Sequence, residues 1–135
     1  MNDIATLFSV VIRLALAMLF AAAALAKLRQ RRDFHATVLA YQLLPPRQAM
    51  GIAVILPWTE VAIAVGLVAG FSVAAYAAAG LLLVYALAMA VNLGRGRHNL
   101  DCGCGAAPQA LSIWLVVRNI VLAGAALTTL FIGGP

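Results

Sequence analysis

The sequence has little charge. Nine lysines and arginines and four aspartates and glutamates occur among 135 residues, so 10% of the chain is charged and 65% is hydrophobic. A soluble domain of this length needs a far more polar surface, and that class is excluded. The net charge of +5 is concentrated in two loops rather than along one face, which argues against nucleic-acid binding. The sequence therefore predicts a protein embedded in a lipid bilayer.

Cysteine is almost as scarce as charge, with Cys102 and Cys104 the only two. One disulfide is the maximum, so no covalent framework holds the fold together. A self-contained relay from a thiol to a quinone normally uses a second cysteine pair, which this chain lacks. Cys102 and Cys104 are therefore expected to exchange directly with an external partner or with a bound small molecule. No cofactor is assigned, although a quinone is a candidate.

Long hydrophobic runs dominate the rest of the chain. Four windows have about the 20 residues that a helix needs to cross the bilayer, namely 4–26, 49–70, 73–93 and 111–132. Because the backbone must satisfy its own hydrogen bonds in lipid, an all-α, antiparallel bundle of four transmembrane helices is expected. We predict one membrane domain over residues 1–135. The first window lacks a basic leader, which indicates a retained span rather than a signal peptide.

The first loop carries a weaker helical pattern. Phe34, Val38 and Tyr41 recur at helical spacing after Asp33, a candidate N-cap, and the run ends at Pro45-Pro46. This pattern predicts a short helix lying in the membrane interface. An irregular basic loop is the alternative.

Basic residues indicate the orientation of the bundle. Seven of the nine lie in the first and third loops: Lys27, Arg29, Arg31, Arg32, Arg47, Arg95 and Arg97. These two loops share one side of the membrane, and the positive-inside rule places that side in the cytoplasm. We therefore expect a multi-pass protein of the bacterial inner membrane with both termini in the periplasm. The cysteine-containing loop, residues 94–110, is expected at the cytoplasmic face.

Three charged residues fall inside apolar windows, where an unpaired charge is costly. Counted along helices from the presumed cytoplasmic ends, Arg13, Glu60 and Arg118 lie about 20, 16 and 11 Å deep. Glu60 is therefore expected to meet either arginine or to bridge both. Either a structural ion pair or a functional polar pocket fits this pattern, and Trp58 and Asn119 are expected to contribute to such a pocket.

The spacing of the two cysteines suggests redox chemistry. A disulfide between positions i and i+2 closes a strained ring, and strained disulfides are easily reduced and exchanged. Neighbouring arginines favour a thiolate, whereas Asp101 opposes it. Cys102 and Cys104 are thus candidate catalytic residues of a thiol-disulfide oxidoreductase. The alternative is a soft-metal site for Cu(I), Hg(II) or Zn(II), with His98 as a third ligand.

Several segments, taken in order, resemble a known family. They are Tyr41-Gln42-Leu43-Leu44-Pro45, Leu56-Pro57-Trp58-Thr59-Glu60, Asn92-Leu93-Gly94-Arg95-Gly96-Arg97, Asp101-Cys102-Gly103-Cys104-Gly105, Trp114 and Arg118-Asn119. The combination resembles the MauE proteins of methylamine utilisation, within the wider DoxX-like group of four-helix membrane proteins. The resemblance covers nearly the whole chain.

This resemblance implies a role in disulfide formation during maturation of the small subunit of methylamine dehydrogenase, a periplasmic protein. It also implies a thioredoxin-like partner similar to MauD. Because the charge pattern places the cysteine pair at the cytoplasmic face, one alternative is a reductant conductor that carries electrons across the bilayer. A soft-metal transporter and a non-catalytic membrane scaffold or chaperone are further alternatives.

Overall fold

A computed structural model of the chain describes residues 3–97, 99–100 and 110–132. Its five helices are α1 (Asp3–Arg29), α2 (Arg31–Tyr41), α3 (Pro46–Ala69), α4 (Ser72–Gly94) and α5 (Ile113–Ile132). All except α2 are long and apolar enough to cross a membrane. The predicted all-α bundle of four spanning helices is confirmed.

The short helix predicted in the first loop is also present, as α2. Its buried residues Phe34 and Tyr41 belong to the face that the spacing indicated. The predicted cap is wrong, because Gln30 precedes the helix and Asp33 lies within its first turn. The helix ends where Gln42 adopts a left-handed conformation with φ of 54°.

A tight turn joins α3 to α4. Gly70 ends α3 with φ of 89°, a conformation that glycine adopts without steric cost. One turn earlier, α3 approaches α4 so closely that a Cβ added to Gly66 would lie 2.7 Å from the Cβ of Ala74. Small residues therefore set the spacing of these two helices at this end of the bundle, which we call the hairpin end.

Alanine forms much of the core. Ala75, Ala78 and Ala126 are fully buried where the four long helices meet near the hairpin end. Without water between helices in a bilayer, close van der Waals packing takes the place of hydrophobic burial, and small residues permit it. A second buried cluster lies toward the opposite end and includes Tyr41 and Met89.

The first and third loops meet at that opposite end, which we call the loop end. The Arg95 guanidinium donates hydrogen bonds of 3.2 Å to the carbonyl oxygens of Tyr41 and Gln42. The Leu111 amide donates to the carbonyl of Leu100 at 2.9 Å, which joins the start and the end of the segment between α4 and α5. The expectation that these loops share one side is therefore confirmed.

Candidate functional site

A buried ion pair joins α1 to α3. The Lys27 Nζ donates a hydrogen bond of 2.7 Å to Glu60 Oε1, and the two side chains are 5% and 1% exposed. Charges in a low-dielectric interior require such a partner, since an isolated charge there is strongly disfavoured. This pair fixes the register of α1 against α3.

Two aromatic rings complete the surroundings of the lysine. Its Nζ lies 5.3 Å from the ring centre of Phe34 on α2 and 5.1 Å from that of Tyr85 on α4. Both distances are within the range of cation–π attraction. Lys27 thus contacts three other helices through one carboxylate and two rings.

The predicted partners of Glu60 are wrong. Arg13 lies at the hairpin end, where its guanidinium donates to the carbonyls of Leu67 at 3.2 Å and Phe71 at 2.8 Å. Arg118 donates instead to Asn119 Oδ1 at 3.3 Å. Neither arginine meets Glu60, because Lys27 occupies that position.

A cavity of about 400 Å³ lies beside the ion pair, in the half of the bundle nearest the loop end. All five helices contribute to its lining, and its walls are mainly aliphatic and aromatic side chains. Its lining residues with polar groups are Lys27, Thr37, Tyr41, Glu60, Tyr85, Arg118 and Asn119. An apolar chamber with a few polar groups is the usual form of a small-molecule site.

Two donors of this cavity have no partner. The Tyr85 hydroxyl and the Arg118 Nε are buried, and neither makes a hydrogen bond of ordinary geometry, although Tyr85 approaches Glu60. An unsatisfied buried donor costs free energy of about 1–3 kcal/mol. Such groups are therefore unusual in a well-packed core and call for a partner such as a ligand or an ordered water.

The structure thus brings together three of the expected pocket residues, Glu60, Arg118 and Asn119. Arg13 lies elsewhere, and Trp58 is 57% exposed on the outer surface and does not line the cavity. Sequence reasoning missed Lys27 and Tyr85. Lys27 directly follows the first apolar window, and that position was the available signal.

The cysteine segment falls outside the described residues. Asp101, Cys102 and Cys104 lie there, and so does His98, the third ligand of the alternative metal site. The described residues that flank this segment are Leu100 before it and Ala110 after it. Thiol exchange and soft-metal binding at this segment stay predictions.

Comparison with known proteins gives consistent matches. The model of the family described as methylamine utilisation protein MauE matches residues 5–132. The chain is 48% identical over 120 residues to the methylamine utilization protein MauE of Paracoccus denitrificans, covering 86% of this chain and 64% of that protein. It is 43% identical over 119 residues to MauE of Methylorubrum extorquens, covering 85% and 64%.

A third relative, MauE of Methylophilus methylotrophus, is 40% identical over 119 residues, covering 84% of this chain and 63% of that protein. The chain thus spans slightly less than two thirds of the length of these relatives. No solved structure matches it. The family match along residues 5–132 and these identities show that the chain belongs to the MauE family of methylamine utilisation proteins.

Proposed function

We propose that this chain is a membrane thiol-disulfide exchange protein that uses Cys102 and Cys104. The observation that carries the proposal is the cysteine pair itself: the only two sulfhydryl side chains are separated by one glycine in a largely apolar chain. A disulfide at that spacing is strained and therefore labile. Family membership supplies the context of methylamine utilisation.

The proposed reaction is exchange with a thioredoxin-like partner. A thiolate of the partner's dithiol attacks the Cys102–Cys104 disulfide and forms a mixed disulfide, releasing the other sulfur of the pair as a thiolate. The second partner thiol then resolves the mixed disulfide. The partner leaves as a disulfide, and this chain retains both electrons as a dithiol. The oxidised partner would then form disulfides in the small subunit of methylamine dehydrogenase.

The fold supports this proposal through the position of the flanking residues. Leu100 and Leu111 are hydrogen-bonded to each other and pack against the buried cluster at the loop end. That end also carries the cavity beside Lys27 and Glu60.

We further propose the bacterial inner membrane as the location, with the loop end facing the cytoplasm. The seven basic residues of the first and third loops support this orientation. Because the expected substrate is periplasmic, this orientation requires the Cys102–Cys104 pair to shuttle between the two faces of the bilayer as it passes electrons. Labelling of Cys102 and Cys104 from one side with an impermeant maleimide tests the orientation.

Trapping of the partner tests the exchange itself. Membranes carrying Cys102→Ser or Cys104→Ser are quenched with acid and alkylated, and disulfide-linked adducts are identified by mass spectrometry. We expect one of the two variants to accumulate an adduct with a thioredoxin-like protein. The matched control carries Ser112→Cys on a Cys102→Ser, Cys104→Ser background, which keeps a lone thiol close by in sequence.

The control should give no such adduct, because its thiol lies eight residues beyond Cys104, outside the Cys-Gly-Cys segment with which the partner is proposed to exchange. If neither single variant traps a partner and both sustain growth on methylamine, the proposal is wrong. A metal bound in stoichiometric amount by the purified chain and lost in Cys104→Ser would favour the soft-metal alternative instead.

A further inference from the structure

The cavity beside Lys27 and Glu60 has the features of a site for a lipophilic molecule. Its walls are formed mainly by apolar side chains of α1 to α4, including Phe20, Leu56 and Met89, whereas α5 contributes only polar side chains. Its volume of about 400 Å³ falls within the usual range for small-molecule sites. A molecule that fills it must therefore be apolar over most of its surface.

Two buried donors indicate which polar groups a ligand of this cavity would need. The Tyr85 hydroxyl on α4 and the Arg118 Nε on α5 are buried without a hydrogen bond of ordinary geometry, so a ligand with hydrogen-bond-accepting oxygens would satisfy them. Donors on two separate helices favour a head with more than one acceptor. Carbonyl groups on a ring satisfy both needs at little desolvation cost.

The charge of the cavity adds a further constraint. Lys27 and Glu60 neutralise each other, whereas Arg118 has no carboxylate within salt-bridge distance among the residues that the structure describes. A net positive charge therefore faces the chamber. It would stabilise negative charge that develops on a ligand oxygen when the ligand accepts electrons.

We place the route of entry between α3 and α4. These helices touch at Gly66 and Ala74 near the hairpin end, but the cavity separates them toward the loop end. Ile52 on α3 and Val84 on α4 line the cavity and are 40% and 59% exposed on the outer surface. The opening therefore faces the region that lipid chains occupy.

We propose that this cavity binds a lipid-soluble quinone, with its carbonyl oxygens accepting hydrogen bonds from Tyr85 and Arg118. The ring would lie between the apolar walls, and the tail would leave through the opening between α3 and α4. The described residues that line this site do not include the cysteines, and binding does not require the thiols.

A bound quinone would also give the thiol chemistry an electron acceptor, and this part rests on the proposed function. Oxidation of the Cys102 and Cys104 thiols to a disulfide releases two electrons and two protons. These convert one quinone to one quinol, which regenerates the oxidised pair. The two electrons and two protons lost by the thiols thus equal those gained by the quinone.

The binding test uses the purified full chain in detergent with decylubiquinone as the probe. Affinity is measured by native mass spectrometry and by the rise in melting temperature. Tyr85→Phe and Arg118→Gln each remove one donor and are expected to weaken binding about 10-fold, equivalent to 1.4 kcal/mol. Ala88→Leu narrows the cavity and is expected to weaken binding at least as much.

Matched controls separate binding from folding. Tyr76→Phe changes an exposed tyrosine on the same helix, and Arg13→Gln changes the other arginine within a predicted span, far from the cavity. Both are expected to bind decylubiquinone as the unaltered chain does. Cys102→Ser with Cys104→Ser should also bind normally, so a failure of the thiol proposal leaves this result unchanged.

Two results would overturn the proposal. One is decylubiquinone binding that is equal in the unaltered chain, Tyr85→Phe and Arg118→Gln. The other is binding of oleate, with the same dependence on Tyr85 and Arg118, in place of decylubiquinone. The second result would assign the cavity to a fatty-acid carboxylate.

Discussion

The Lys27 ammonium and the Glu60 carboxylate lie 2.7 Å apart, although they come from very different positions along their helices. α1 ends two residues after Lys27, whereas Glu60 is 14 residues into α3, about 21 Å from its start. The end of α1 is therefore level with the middle of α3. The space beside the first half of α3 is left to α2 and to the cavity.

Replacing one member of this ion pair should destabilise the bundle more than replacing both members. Lys27→Met and Glu60→Met each leave an unpaired buried charge, and Lys27→Met is expected to cost about 3–5 kcal/mol. The double variant Lys27→Met, Glu60→Met leaves no buried charge at this position and should cost much less than the two single changes together. Unfolding of the purified variants in mixed detergent micelles measures their free energies of unfolding.

The same cycle carried out with Arg31 and Asp33, two exposed residues of α2, serves as the control and should show a coupling near zero. Additive effects of the Lys27 and Glu60 changes would show that the ion pair does not hold α1 against α3.

The close contact between Gly66 and Ala74 should not tolerate a larger side chain at position 66. Gly66→Ala would place two Cβ atoms 2.7 Å apart, so α3 and α4 must separate at a cost of about 1–3 kcal/mol. Adding Ala74→Gly should restore part of the loss. Gly80→Ala is the matched control, because no heavy atom lies within 4 Å of its added Cβ. A melting temperature unchanged by Gly66→Ala would contradict the close approach.

Arg13 is expected to act at the hairpin end only. Its hydrogen bonds satisfy the carbonyls of Leu67 and Phe71 at the turn between α3 and α4. Arg13→Gln should destabilise the bundle by about 1.5–3 kcal/mol, the typical value of a hydrogen bond to a charged group. Thermal unfolding measures this change. Loss of cysteine reactivity without loss of stability would instead place Arg13 in the functional site.

Arg95 should hold α2 in place over the loop end. Its guanidinium donates to the carbonyls of Tyr41 and Gln42, so Arg95→Ala frees the end of α2 from α4. We expect faster proteolysis between α2 and α3 in detergent, by about 10-fold if the lost contacts are worth 1.4 kcal/mol. Arg32→Ala, a change at an exposed position, is the control. Equal cleavage rates in both variants would refute this role.

Hydropathy was sufficient to predict the number of spanning helices and the all-α class. Each span must be about 20 residues long and apolar, and that requirement leaves a clear pattern in the chain. The helix α2 was predictable for a similar reason, because Phe34 and Tyr41 mark one face. These features depend on local sequence alone.

The partner of Glu60 was not predictable in this way. Counting depth from the window ends assumes that all helices begin at one level, which places Lys27 at the membrane edge and Glu60 well inside. The structure staggers α1 along α3 instead, and the pair meets. Axial stagger depends on how side chains of different helices pack, and a single sequence carries little trace of it.

Reversible pairing of Cys102 with Cys104 is the central claim, and a redox titration tests it most directly. The purified chain is equilibrated in glutathione buffers of graded potential, quenched with acid, alkylated and weighed by mass spectrometry. The account predicts one two-electron transition in which both cysteines lose their alkyl labels together, without a stable glutathione adduct. Cysteines that stay alkylatable at every potential, or that react with glutathione independently, would contradict it.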